Sequence, residues 1–345
     1  MLLTLLCGAV LAYESDQLTG RGEPLEDAAP VADARADEFL GPAVARTNER
    51  TGCRADLEQT RRILAREIHE AVGGVVRVPA QGRQPAMTFG AYAAWLATAP
   101  VQQRGFGDRQ DIYGAVPWWQ NVILDAVGPA PTVRLGDTLV GIDKVDHFWV
   151  QGYLYFRQSR WGLEEDKAVR WGTHTERAIW GQATTDIFSF ADLAANFDGY
   201  TFYDGLLRPG SALGIDERGC VVQRRPWRWS EHVDWQWDEV QNPSAYQPAV
   251  LASLRAWLQD HRAEVCDGLD EVEAAVLSER VDAAIRQAYP YVLGRIPARI
   301  DPFALHSLCF GGDPPGAGGP ATPGEQEVRG KTNRRGRATG MHPGS

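Results

Sequence analysis

The stretch from Gly141 to Leu207 constrains this chain more than any other, because ionisable residues recur there inside strongly apolar, helix-periodic sequence. It opens GIDKVDHFWVQGYLYF, continues through WGTHTERAIWG and closes with TTDIFSFADLAANFDGYTFYDGLL. A helix that is apolar nearly all round is buried, and a polar group carried into a core without a partner costs on the order of several kcal/mol. In the first helix of the stretch Asp143, His147, Gln151 and Tyr155 follow one another at i, i+4 and share a face. In the last, Asp192, Asn196, Gly199 and Tyr203 form a polar stripe beside Leu193, Ala194 and Phe197. Glu176 stands on the helix between them, four residues after Gly172.

Three readings compete for this set. In the structural one Asp143 is an N-cap with Asp146 three residues on, Asp192 holds the capping-box position behind Ser189, and His147, Glu176 and Asn196 form a buried hydrogen-bond network. In the metal reading His147, Glu176 and Asp192, joined by Asp143, ligate zinc or another divalent ion. The residue types suit that reading, but no HExxH, paired ExxH or CxxC signature accompanies them. In the metal-free catalytic reading His147 is a general base oriented by Asp143 or Glu176, with Lys144 as an electrophilic or anion-binding group. Only Lys144, Lys167 and Lys331 are lysines in a chain rich in arginine, so a lysine inside the central motif stands against the compositional grain. The candidate site is therefore Asp143, Lys144, His147, Glu176, Asp192 and Asn196.

The surrounding sequence predicts a mainly α-helical, single multi-helix domain over about 50–310. Helices are expected at about 55–72, 89–99, 113–126, 143–160, 164–181, 190–207, 247–261 and 270–289. Between Pro131 and Asp143 the period shortens to two, and TVRL and TLVGI flank Gly136-Asp137. This reads as a small β-hairpin at about 131–142 leading into the central helix. Residues 13–48, rich in Asp, Glu, Ala and Pro, read as a disordered leader, and residues 311–345 as a disordered, basic, Gly/Pro-rich tail.

The first twelve residues read as a secretory signal peptide, with Val10 and Ala12 in the small-residue positions of a signal-peptidase site. Cys7 offers a lipoprotein anchor as a weaker alternative. The expected location is the periplasm or the exterior. Four cysteines remain, Cys53, Cys220, Cys266 and Cys309, which favours two disulfides in an exported chain and leaves all three pairings open. A net charge of -10 argues against nucleic-acid binding, and no run in the mature chain has the length of a membrane span. The cluster Trp227, Trp229, Trp235 and Trp237 reads first as core and second as an aromatic platform for a glycan or protein, which would make the chain a non-catalytic binding module.

The string Gly141 to Phe148, taken with FSFADLAANFDGYTFYDGL and the later WDEVQNPSAY, resembles an uncharacterised family of exported bacterial proteins. In that family a hairpin leads into an Asp-Lys-x-x-His-Phe helix, and an Ala-Asp-Leu-x-Ala-Asn helix follows. The likeness covers roughly residues 110–250 and implies an envelope location and a helical fold. It brings no activity with it. The hexad from Asp143 to Phe148 alone is also similar to VanZ-like membrane proteins and small envelope lipoproteins, which carry it near a membrane helix that this chain lacks. Function is thus expected to be that of an envelope protein with a buried polar cluster. The alternative is a metal-dependent or His-based hydrolase acting on an envelope lipid or glycan.

Overall fold

A 23-residue helix, α1 (Ala29–Thr51), begins the regular structure, entered through a proline in its first turn and closed by Gly52 in the left-handed region at φ 58°. The computed structural model describes residues 13–80, 86–105, 110–120, 128–159, 186–267 and 305–311, together with Arg170, Thr173, His174 and Glu271. Helix α1 packs against α2 (Leu57–Val72), whose N-cap Asp56 accepts the backbone N–H of Gln59. Buried Glu67 of α2 pairs with Arg46 and Arg50 of α1 at 2.8 and 2.9 Å, which fixes the register of the two helices.

This arrangement corrects the expectation of a disordered leader over 13–48. The buried stripe of α1 is Ala32, Ala36, Leu40, Ala43 and Thr47. Alanine forms helices well but contributes little apolar contrast, so the periodicity is faint. The acids of that segment also have partners: Asp33 accepts the backbone N–H of Trp229 at 2.7 Å, and Asp37 that of Trp227 at 2.8 Å. Upstream, Tyr13 to Gln17 and Thr19 form a buried irregular strap, tied by a parallel bridge from Ser15 to Ala130.

A two-stranded sheet of β1 (Val76–Val78) and β2 (Met87–Phe89) leads to the short helix α3 (Ala91–Leu96). The helix expected at 113–126 is in its described part a single 3₁₀ turn, Ile112–Ala115, capped by Asp111; residues 121–127 lie outside the described residues. Strands β3 (Thr132–Leu135) and β4 (Thr138–Gly141) form the expected hairpin, with Leu135 opposite Thr138 across a two-residue turn whose Gly136 takes φ 63°.

The central helix α4 runs without a break through Ile142–Asp146, a π-turn at His147–Gln151, and Gly152–Ser159. Strand β5 (Ile187–Phe188) pairs antiparallel with β8 (Ala245–Tyr246), and between them lie α5 (Phe190–Gly205) and the hairpin β6–β7 (Leu213–Ile215, Val221–Gln223). Helices α6 (Pro248–Asp260), α7 (Arg262–Cys266) and α8 (Leu305–Cys309) follow. The helices expected at about 164–181 and 270–289 lie almost wholly outside the described residues, as does the tail.

Disulfides join Cys53 to Cys220 and Cys266 to Cys309. The first closes a loop of 167 residues and ties the α1–α2 turn to β7, where Asn48 also bonds both backbone groups of Val221. Two disulfides fit an oxidising compartment. Among the described residues no helix is long and apolar enough to cross a membrane.

Candidate functional site

Helices α4 and α5 approach more closely than ordinary side chains allow. A Cβ on Gly152 would lie 2.5 Å from the Cα of Gly199, and one on Gly199 would lie 2.1 Å from the carbonyl oxygen of Phe148. The contact falls at the π-turn, where the N–H of Gly152 reaches back to the carbonyl of His147. It brings the polar residues of the two helices together beside it.

At the centre is Lys144, with no exposed surface. Its Nζ lies 2.6 Å from Asp143 Oδ2, 2.6 Å from Asp192 Oδ1 and 2.5 Å from Glu239 Oε1. The four residues come from three elements: α4, α5 and the loop after the Trp-rich segment. His147 inserts between Asp192 and Asn196, one turn apart on α5, with Nε2 3.1 Å from Asp192 Oδ2 and Nδ1 3.0 Å from Asn196 Oδ1. Asn196 Nδ2 continues the chain to the Tyr155 hydroxyl at 3.3 Å. Both ring nitrogens of His147 thus face protein oxygens, and a doubly protonated ring donates to both.

Of the six predicted site residues, five meet here, and Glu176 lies outside the described residues. The capping roles need correction. The N-cap of α4 is Gly141, and Asp143 sits in the first turn, where its carboxylate receives the Ser15 hydroxyl as well as Lys144. Gly141 is required there, since a Cβ would collide with both Ser15 Oγ and Asp143 Oδ1. Ser189 does cap α5 by accepting the N–H of Asp192, but the Asp192 carboxylate is turned to Lys144 and His147.

Sequence reasoning did not nominate Glu239, Ser15, Gln17 or Asp146. Glu239 lay in view within WDEVQNPSAY, but nothing local marks an acid there as the partner of a lysine 95 residues away. Gln17 accepts the backbone N–H of Glu239 and donates to the carbonyl of Leu139, so the strap closes one side of the cluster. Asp146 faces away from it and accepts the N–H of Gly90 at 3.0 Å.

The charges are uneven: Asp143, Asp192 and Glu239 against Lys144 and His147. Burial opposes every charged form here, and the surroundings decide which group yields. For Lys144 burial pulls downward, but Asp143, Asp192 and Glu239 together outweigh it and hold the ammonium well above its ordinary value. Burial likewise raises Asp192, yet His147 and Lys144 prevail and depress it. Glu239 goes the other way: burial, reinforced by Asp143 and Asp192, outweighs Lys144 and pushes it up to about 8. Asp146 rises to about 7 through burial. Glu239 is therefore the group that holds the surplus proton at neutral pH.

Carboxylate oxygens of Asp143, Asp192 and Glu239 lie within 4.8 Å of one another, which is a ligand set for a divalent cation. Lys144 Nζ stands among these oxygens, so a cation placed there would meet the ammonium at contact distance. Of the metal set His147, Glu176 and Asp192, the two described members, His147 and Asp192, are in contact.

Three of the four tryptophans of the Trp-rich segment are core, and Trp235 is half-buried. Trp227, Trp229 and Trp237 are all fully buried around Phe148 and Trp149, with ring centroids 5.0 Å apart for Trp149–Trp227 and 5.3 Å for Phe148–Trp229. Trp229 Nε1 donates to the Tyr92 hydroxyl, and Trp237 Nε1 to Asp198. His232 stacks on Trp227 at 4.4 Å, and burial lowers it to about 4. Among the described residues the exposed tryptophans are Trp118 and Trp119. Compared with known proteins, the chain matches no family model, no curated protein and no solved structure.

Proposed function

We propose that the chain is an exported protein of the bacterial envelope, periplasmic or secreted, in which the Lys144 cluster is a structural clamp and not a reaction centre. The observation that carries this reading is that Lys144 Nζ, with no exposure, contacts carboxylates from three separate elements. The two helix motifs of the resemblance are also one another's partners: Asp143, Lys144 and His147 of the first meet Asp192 and Asn196 of the second. A pattern of that kind is accounted for by packing alone. The apparent envelope signal and the two disulfides support an oxidising destination.

The alternative, a metal-dependent or His-based hydrolase acting on an envelope lipid or glycan, is favoured by the His147–Asp192 pair. It requires His147 to release Asp192 or Asn196 in order to present a ring nitrogen to substrate. His147→Ala, followed by urea unfolding, tests the clamp. The clamp predicts a folded but less stable protein, and stability equal to that of the parent would overturn it. Stoichiometric zinc or manganese in the purified protein, lost on His147→Ala, would instead support the metal-dependent alternative.

A further inference from the structure

We propose that Lys144 and Asp192 become joined by an amide bond between Nζ and Cγ, a self-formed covalent cross-link between the central helix and α5. The proposal rests on the clamp reading and makes the clamp covalent. Its basis is the contact itself. Lys144 Nζ lies 2.6 Å from Asp192 Oδ1, yet that oxygen accepts no hydrogen bond. The contacts of Nζ with Asp143 and Glu239 are proper hydrogen bonds. Asp143 is moreover the neighbour of Lys144 in sequence and is held by Ser15, so a bond there would clamp nothing.

The remaining groups supply what amide formation needs. Asp143, hydrogen-bonded to the same Nζ, accepts one ammonium proton and leaves a neutral amine, while Glu239 keeps the proton it already holds. The amine nitrogen attacks Cγ, forming the C–N bond. Charge then develops on Oδ2, which faces His147 Nε2 at 3.1 Å and is stabilised there. Glu239 delivers its proton to Oδ1, a second proton follows from the nitrogen, the Cγ–Oδ1 bond breaks and water leaves, and Asp143 passes the proton it accepted to Glu239. The ammonium and the carboxylate become an amide and one water, with no net proton gained or lost and no oxidant or cofactor involved. Burial favours this direction, since two desolvated charges disappear and the water released passes to bulk solvent. The ammonium is the resting form, but an event that occurs once per chain needs the neutral amine only transiently.

The test uses the full chain, exported to the periplasm of a bacterial host, purified, denatured and reduced. The expected intact mass is lower by one water, and a protease that cuts after lysine cuts at Lys167 and Lys331 but leaves Lys144 intact. Full mass with cleavage at Lys144 would overturn the proposal, and so would loss of water with cleavage there, which marks a succinimide elsewhere. Glu239→Gln, matched in size, is expected to fold and to regain both the full mass and cleavage at Lys144; an unchanged cross-link in that variant would remove Glu239 as the proton relay. If the parent chain carries no cross-link while His147→Ala still loses stability, the clamp stands as an ion cluster and the bond is refuted.

Discussion

His147 and Phe148 are consecutive residues of one helix, and both are buried, but they are buried by different means. On the side of His147 the cluster holds ionic and hydrogen-bonded partners at 2.5 to 3.1 Å, each dependent on direction and on its neighbour's charge. On the side of Phe148 and Trp149 the neighbours are Trp227, Trp229, Phe202 and Tyr92, with ring centroids 5.0 to 5.7 Å apart and interplanar angles from 32 to 87°. Dispersion and apolar burial are summed over many weak contacts and survive small rearrangements. A charge cluster is closer to all-or-none, because removing one member leaves the others buried and uncompensated. One helix therefore carries a tolerant face and an intolerant one.

Lys144→Met should break the comparison most severely. It leaves the buried carboxyl groups of Asp143, Asp192 and Glu239 without the ammonium between them, and a loss of about 3–5 kcal/mol in urea unfolding is expected. Next comes pH. Glu239 binds a proton in the folded chain between its ordinary 4.5 and about 8, while the unfolded chain has already lost it, so stability falls as pH rises through that window. Asp146 and Asp198, raised by burial to about 7, act in the same direction. The slope approaches about 1.4 kcal/mol per pH unit for each group at its limit. Below the ordinary carboxylate range the sign reverses, since depressed Asp192 withdraws stability as it protonates. Maximum stability is thus expected at mildly acidic pH, and Glu239→Gln should flatten the neutral-to-alkaline limb in thermal unfolding.

Gly199→Ala drives a methyl into the Phe148 carbonyl and should cost about 1–3 kcal/mol by forcing the two helices apart. Trp149→Phe should cost less, about 1 kcal/mol: it removes volume, but it also removes a buried indole N–H that has no hydrogen-bond partner. Smallest of all, Trp118→Ala with Trp119→Ala should change the unfolding midpoint by no more than about 0.5 kcal/mol equivalent, because both rings are mostly exposed.

The same contrast explains what could be read from the sequence. The hairpin, α2, α4 and α5 were legible because their patterns are local: a two-residue turn, a repeat of 3.6, a serine three residues before an acid. Five cluster residues were legible as polar positions in apolar helices. Their partners were not, because Glu239, Ser15 and Gln17 stand in segments without periodicity, and only the tertiary fold brings them to Lys144. Asp143 misled for a related reason, since an aspartate at a helix start satisfies a local rule whether or not it serves that rule. Helix α1 escaped because a stripe of alanines carries helix propensity with little hydrophobic contrast.

The strap from Tyr13 to Thr19 adds a consequence about time. It leaves the ribosome before the rest of the fold, yet its hydrogen bonds run to residues 122, 128 and 222 positions later. Contacts so distant in sequence form slowly, because a long loop must close before any of them is made. The Lys144 cluster also needs Glu239 in place. A chain still being synthesised is therefore without its finished core until Glu239 has emerged. The polar strap, by being both first made and last satisfied, delays completion of the fold until its distant partners are in place.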